Sequence, residues 1–130
     1  MKHTAPCPCG SSTAYERCCK RWHQGEPAPD AEALMRSRYT AYALGLTDYL
    51  LHTWHPFTRP GSLQDETGAQ PLKWLGLKII RHETTRDDQA TVEFIARYKV
   101  NGKAEKLHEH SRFVREQGQW LYVDGDFIGG

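Results

Sequence analysis

The sequence predicts an α+β protein in which helices are followed by an antiparallel sheet, with a small cysteine-rich segment in front of them. Three patterns carry this prediction. All four cysteines fall within CPCGSSTAYERCC, residues 7–19. Apolar residues recur at three- and four-residue spacing between residues 31 and 46, as on one face of a helix. Apolar and polar residues then alternate from residue 90 onward, interrupted by Asn101-Gly102, a strong signal for a β-hairpin turn.

Composition excludes several classes of protein. A chain of 130 residues accommodates one ordinary domain and a small appendage. The 17 basic and 16 acidic residues nearly cancel, so no global field attracts nucleic acid or membrane phosphates, and a nucleic-acid contact would have to be local. The start, MKHTAPCPCG, lacks the apolar run of a signal peptide, and no stretch has the length of a membrane span. We therefore expect a cytoplasmic protein with no membrane partner.

The clustered cysteines point to metal or redox chemistry, because a reducing compartment disfavours structural disulfides. Four thiolates, from Cys7, Cys9, Cys18 and Cys19, would complete a closed tetrahedral zinc site. The alternative is a reversible disulfide within CxC or the vicinal pair, which would use only two of the four sulfurs. Zinc explains why all four cysteines lie together.

The adjacent cysteines raise a geometric question about the ligand set. Residues 15–21 are predicted to form a short helix that presents Cys18 and Cys19, but neighbouring side chains on a helix diverge by about 100°. His23 lies four residues after Cys19, on the same helical face, and is therefore an alternative fourth ligand. The nearby cations would either offset the charge of the thiolates or contact a macromolecule: Arg17, Lys20 and Arg21.

The cysteine segment resembles the SEC-C zinc module, whose pattern is CPCGSGKKYKKCC, with Ser12 and Thr13 in place of the usual Gly and Lys. The resemblance extends along the chain to the small bacterial YchJ-like family through LMRSRYTAY (34–42), YLLHTWHP (49–56), WLGL (74–77), HEHSRF (108–113) and WLYVDG (120–125). It implies a fold like nuclear transport factor two, a cone of helices on a curved antiparallel sheet. It implies no particular biochemical activity.

A linker at residues 25–29 is predicted to divide the chain into a zinc module, 1–26, and a cone domain, 27–130. Asp30 is a suitable N-cap for the helix that follows.

One face of that helix carries Arg38 in the middle of an otherwise apolar stripe: Ala31, Leu34, Met35, Tyr42 and Leu46. A buried guanidinium needs an acceptor, so we expect Arg38 to be paired, the alternative being a side chain that extends to water. A second helix is predicted from Thr47 to Trp54, before Pro56.

Hairpin register predicts which polar residues face the helices. A two-residue turn at Asn101-Gly102 pairs residue 94 with 109 and 92 with 111, which places Glu109 and Ser111 on the apolar face. A second hairpin turning at Gln117-Gly118 pairs 111 with 124 and adds Asp124 to that face.

The sequence thus predicts a polar cluster of Arg38, Glu109, Ser111 and Asp124 inside the cone, with His55 at its rim. One interpretation is an ion-pair cluster that only holds the helix on the sheet. The other is a ligand pocket, since carboxylates near an arginine and aromatic residues are usual ingredients of a site.

Two functions follow from these residues. The first is a zinc-binding accessory or adaptor protein that docks on a protein or ribonucleoprotein partner and holds a small ligand in the cone. The second is an enzyme that uses Glu109 or Asp124 as general acid/base, with Arg38 stabilising negative charge. The absence of a nucleophile with an adjacent base, of a phosphate-binding glycine loop and of an open metal site favours the first.

Overall fold

A computed structural model describes residues 7–9, 13–59 and 73–128 of the chain. It confirms the α+β class, with helices in front of a curved four-stranded antiparallel sheet. The elements, in chain order, are a 3₁₀ turn Tyr15–Arg17, α1 Cys19–His23, α2 Ala31–Leu44, α3 Thr47–His52, β1 Lys73–Arg86, β2 Gln89–Val100, β3 Lys103–Glu116 and β4 Gln119–Phe127. None of the described helices has the length and apolar character needed to cross a membrane.

Helix α2 begins where its sequence predicts, after Asp30, and ends two residues before Leu46, the last position of the predicted stripe. The Asp30 side chain accepts a hydrogen bond from the Ala33 backbone N–H at 2.7 Å, and Gly45 ends the helix in the left-handed conformation, with φ of 77°. More than one face of the helix is covered, because five consecutive residues are all buried: Ser37, Arg38, Tyr39, Thr40 and Ala41. Tyr42, expected to be inside, is 41% exposed.

The second helix is shorter than predicted, because the chain leaves it to pair with the sheet. The prediction extended to Trp54, whereas α3 ends at His52. The Tyr122 N–H donates to the Thr53 carbonyl, and the His55 N–H donates to the Tyr122 carbonyl, each at 2.8 Å. Residues 53–55 therefore cover the edge of β4, an arrangement that a helical continuation would prevent.

The sheet is a meander with strand order β1-β2-β3-β4, and its two predicted hairpin turns are present. Asn101, Gly102, Gln117 and Gly118 have φ between 54° and 79°, as two-residue turns with positive φ at both positions require. The predicted pairings of Val92 with Ser111 and Phe94 with Glu109 are confirmed. Three register shifts along β1 curve the sheet around α2.

The second hairpin contains a bulge that corrects one sequence prediction. Its pairing begins as expected, with residue 115 opposite 120 and 113 opposite 122, but the register shifts between Arg112 and Phe113. Ser111 therefore lies opposite Gly125, and Asp124 lies opposite Arg112. Because a one-residue shift reverses the face of every following side chain, Asp124 points away from α2.

The cysteine segment and the cone share one hydrophobic core. Cys7, Cys9 and Cys19 are buried in the same cluster as Ala31 and Leu34 of α2 and the inner residues of β2 and β3. Ala28, in the predicted linker, is also buried there. The division at residues 26/27 remains a prediction, but the packing of the cysteines on α2 indicates that the two parts are in close contact.

Candidate metal centre and cone cavity

The four cysteines form one cluster with the spacing of a metal site. Their Sγ atoms all lie within 4.8 Å of one another. Cys9 Sγ is 3.6 Å from Cys18 Sγ, which is 3.9 Å from Cys19 Sγ. A tetrahedron with metal–sulfur bonds of about 2.3 Å has edges of roughly 3.8 Å, so these sulfurs already have the separation that a thiolate-bound zinc requires.

The adjacent cysteines converge because Cys18 is not part of a helix. It lies between the 3₁₀ turn and α1 with φ of −120° and ψ of −112°. The 100° divergence expected for neighbours on one helix therefore does not apply. Across the loop, the Cys7 backbone N–H donates to the Thr13 carbonyl at 2.8 Å, which brings the first pair of cysteines back toward the second.

Helix α2 supplies the polar contacts around the sulfurs. The Thr40 hydroxyl donates to Cys19 Sγ at 3.4 Å and lies 3.6 Å from Cys7 Sγ. Arg36 Nη1 donates to the Cys9 carbonyl at 2.9 Å. Hydrogen bonding to the Cys7 and Cys9 thiols, together with burial, raises the pKa of the Cys19 thiol. A bound cation would reverse that effect by stabilising the crowded thiolates.

His23, the alternative ligand, is directed away from the sulfurs. Its Nε2 lies 2.8 Å from the Ser37 carbonyl, which can only accept, so Nε2 carries the proton. Its Nδ1 lies 2.8 Å from the Tyr15 hydroxyl, which donates to it when the ring is neutral. Burial lowers the pKa of His23. Both ring nitrogens are thus occupied, and the Ser37 contact joins the cysteine segment to α2. The four cysteines are the candidate ligand set.

A second candidate site is a cavity of about 280 Å³ between α2 and the sheet. Its wall is aromatic or apolar except at Arg38, Glu109 and Ser111, which the structure brings together there. The other lining residues are Met35, Tyr39, Tyr42, Trp54, Trp74, Phe94, Ala96, Leu107, Tyr122 and Phe127. Such a wall, with a few polar groups, is the usual composition of a small-molecule site.

Arg38 is 3% exposed and is anchored by one end of its guanidinium. Nη1 donates to the Leu50 carbonyl at 2.8 Å and to the Thr53 hydroxyl at 2.7 Å. The guanidinium carbon lies 4.6 Å from the ring centre of Tyr122 and 5.0 Å from that of Trp54, a cation–π arrangement. Burial lowers the pKa of Arg38. The side chain is inward, as the helical stripe predicts, but its anchors are a backbone carbonyl, a hydroxyl and aromatic rings.

Glu109 lies at the hydroxyl end of Tyr122, where one of its oxygens is fixed. Oε2 accepts hydrogen bonds from the Ser111 hydroxyl at 2.7 Å and from the Tyr122 hydroxyl at 3.1 Å. Burial, followed by the nearby Glu109 charge, raises the pKa of Tyr122 and keeps its hydroxyl protonated. Among the described residues, no salt bridge joins Glu109 to Arg38, and both side chains instead contact Tyr122, Arg38 at the ring face and Glu109 at the hydroxyl.

Two predicted pocket residues lie elsewhere. Asp124 accepts from Arg112 Nε at 2.6 Å on the outer face of the sheet, because of the bulge. The Phe57 N–H donates to His55 Nδ1 at 3.1 Å, and His55 Nε2 therefore donates to Glu116 at 2.8 Å, so this ring is fixed outside the cavity wall. Gly125 takes the inward position that the sequence predicted for Asp124. A Cβ at this position would collide with the Glu109 carboxylate.

Several residues of both sites have no clear signal in the sequence. Thr40 falls outside the predicted stripe of α2, and Trp54 was assigned to the second helix. Tyr122 was expected on the inner face but not as the residue that contacts both Arg38 and Glu109. Of these residues, only Thr40 could be expected from the sequence, and only if α2 is assumed to be buried on two faces.

Comparison with known proteins agrees with this architecture. Residues 30–125 match the family model of the YchJ middle domain, described as nuclear-transport-factor-two-like, and residues 4–21 match the SEC-C motif. A UPF0225 protein of Bordetella parapertussis is 56% identical over 125 residues, which cover 94% of this chain and 92% of that protein. A UPF0225 protein of Chromobacterium violaceum is 55% identical over 125 residues, covering 93% and 92%.

Two solved structures share the fold. A SEC-C motif protein from Rhodopseudomonas palustris superposes with a TM-score of 0.85 and 33% identity, covering 96% of this chain and 100% of that one. A SEC-C motif protein from Psychrobacter arcticus gives 0.80 and 25% identity, covering 98% and 85%. The chain therefore belongs to the YchJ-like, UPF0225 family, in which a SEC-C motif precedes a domain like nuclear transport factor two.

Proposed function

We propose that this protein is a zinc-binding accessory protein that docks on a protein or ribonucleoprotein partner and holds a small ligand in its cone. The observation that carries the metal assignment is the cluster of four Sγ atoms within 4.8 Å of one another. Zinc suits four thiolates at tetrahedral spacing better than harder cations do, and a closed set of four protein ligands is typical of a structural rather than a catalytic site.

Metal analysis of the reduced, chelator-free protein tests this assignment. We expect about one zinc ion per chain, and loss of tight binding in Cys18→Ser. His23→Gln is the matched control and should keep the metal, because His23 contacts Tyr15 and Ser37 rather than the sulfurs. Protein that contains no zinc and cycles reversibly between two thiols and a disulfide would instead support redox chemistry.

Docking by the cysteine segment is supported by its exposed cations and by the likeness to SEC-C modules. Arg17 and Arg21 are exposed beside the cluster, and Arg21 stacks on the Trp22 ring at 4.4 Å. We expect Arg17→Glu/Arg21→Glu to abolish cross-links between this segment and its partner in cells. Arg97→Glu/Lys99→Glu, on exposed positions of β2, is the matched charge reversal. Identical cross-links in both variants would contradict docking through the segment.

The ligand-holding role is supported by the cavity, in which a buried cation and a carboxylate lie among aromatic residues. Native mass spectrometry of protein purified from cells tests whether a small molecule is retained there. The enzymatic alternative loses Asp124, which lies on the outer face, and is reduced to Glu109 as the base. It predicts that a retained molecule is chemically converted on incubation and that Glu109→Gln stops the conversion.

A further inference from the structure

The cavity contains polar atoms that the protein itself leaves without partners. In the described part of the chain, Arg38 uses only Nη1 for hydrogen bonds, so Nε and Nη2 have none. Glu109 uses only Oε2, so Oε1 has none. The indole Nε1 of Trp54, another wall residue, is buried without a partner. Arg38 and Glu109 are 3% and 9% exposed and both line the cavity, so a molecule in the cavity is the natural partner for their unused atoms.

The unmatched atoms are separated by charge. Arg38 lies against the face of the Tyr122 ring, 4.6 Å from its centre, whereas Glu109 lies at its hydroxyl end, 3.1 Å away. One side of the cavity therefore offers N–H donors on a cation, and the other offers an acceptor on a carboxylate. A ligand with only an anionic group would be repelled by Glu109, and a ligand with only a cationic group would be repelled by Arg38.

The remaining wall sets the size and shape of the ligand. A volume of about 280 Å³ is less than twice the roughly 150 Å³ of an apolar cavity that accommodates benzene. Trp74, Tyr39 and Phe94 provide flat or apolar surfaces on which one ring would pack. Phe127, at 74% exposure, marks the open side through which such a molecule would enter.

We propose that the cavity binds a small zwitterion consisting of one aromatic-sized apolar body, a carboxylate and a neighbouring ammonium group. The carboxylate accepts from Nε and Nη2 of Arg38, in the two-pronged geometry that guanidinium groups favour, and the ammonium donates to Glu109 Oε1. This inference rests on the ligand-holding part of the proposed function and specifies its ligand class.

A matched set of four probes tests the class on the full-length, zinc-loaded protein. L-phenylalanine carries all three groups, 3-phenylpropionate lacks the ammonium, 2-phenylethylamine lacks the carboxylate and L-alanine lacks the ring. Titration calorimetry gives the affinities, and the Arg38 Nε–H signal in ¹H–¹⁵N NMR spectra reports contact with the carboxylate. We expect L-phenylalanine to bind at least about ten-fold more tightly than each of the others, because each lacks one matched interaction.

The variant Glu109→Gln provides a second, independent test. The Ser111 and Tyr122 hydroxyls both donate to Oε2, so the amide oxygen of glutamine takes that place and its NH₂ replaces Oε1. L-phenylalanine should then lose at least about ten-fold in affinity, while 3-phenylpropionate should bind no more weakly than before. Glu83→Gln, an exposed carboxylate on β1, is the matched control and should change neither affinity.

Three results would overturn the inference. The first is that 3-phenylpropionate or 2-phenylethylamine binds the unmodified protein as tightly as L-phenylalanine. The second is that no probe binds while the protein from cells retains a molecule of another class, which leaves the ligand-holding role intact. The third is that no probe binds and no molecule is retained, which refutes the ligand-holding role as well.

Discussion

Replacing Arg38 by Met should destabilise the protein by only about 1–3 kcal/mol, although the removed charge is buried. The variant loses two hydrogen bonds from a charged donor, each contributing about 1.5–3 kcal/mol, and two cation–π contacts of about 0.5–2 kcal/mol. It also removes the desolvation cost of the guanidinium, which amounts to several kcal/mol. The Thr53 hydroxyl keeps its hydrogen bond to the Tyr49 carbonyl at 2.8 Å, and the Leu50 carbonyl retains only the weak contact with the same hydroxyl at 3.4 Å.

The structure also predicts how this change combines with one at Glu109. A buried salt bridge that loses one partner costs about 3–5 kcal/mol, but among the described residues Arg38 and Glu109 share no salt bridge and each contacts Tyr122 instead. The coupling energy between Arg38→Met and Glu109→Gln should therefore be below about 1 kcal/mol. Urea unfolding of the zinc-loaded single and double variants measures it, with Arg97→Met on the exposed face of β2 as control. A coupling of about 3 kcal/mol or more would show that the two charges are directly paired.

Three further predictions concern the contacts of α2 and β4. Thr40→Val should weaken zinc binding about 10–100-fold in chelator competition, because it removes the hydroxyl that donates to Cys19, whereas Thr40→Ser should not. Gly125→Ala should cost about 1–3 kcal/mol in urea unfolding, because its methyl group displaces the Glu109 carboxylate; unchanged stability would contradict this packing. Removal of the metal should lower hydrogen-exchange protection in α2 as well as in residues 13–23, and unchanged protection of α2 would indicate an independent module ending near residue 26.

The register of the first hairpin could be predicted from the sequence, and that of the second only in part. Asn101-Gly102 fixes a two-residue turn, and strict alternation on both strands then carries the pairing without error to Ser111. Gln117-Gly118 fixes the second turn equally well. The bulge beside Phe113 lies several residues from that turn and depends on how the strands curve, which turn residues do not specify. Asp124 was misplaced for this reason.

The clustering of the four cysteines could be predicted because it is local in the chain, whereas the surroundings of the cavity could not. Four sulfurs within thirteen positions can converge without any contribution from distant parts of the chain. Trp54 and Tyr122 reach Arg38 through a pairing between the end of α3 and β4, which are far apart in the chain. No periodicity within either segment encodes such a contact.

Helix α2 explains both why a single apolar stripe was too simple and how the two sites are related. At about 100° per residue, Arg36, Ser37 and Thr40 fall on one face and Arg38 and Tyr39 on the other. The first face holds the cysteine segment, through bonds to the Cys9 carbonyl, the His23 ring and Cys19 Sγ. The second forms the wall of the cavity. A helix that is buried on two faces carries polar residues on both, and these residues form their hydrogen bonds within the protein. The sequence of such a helix is therefore only weakly amphipathic. Thr40 and Arg38 lie only two residues apart, so the helix that donates to the cysteine cluster is also the one that positions the cavity's cation.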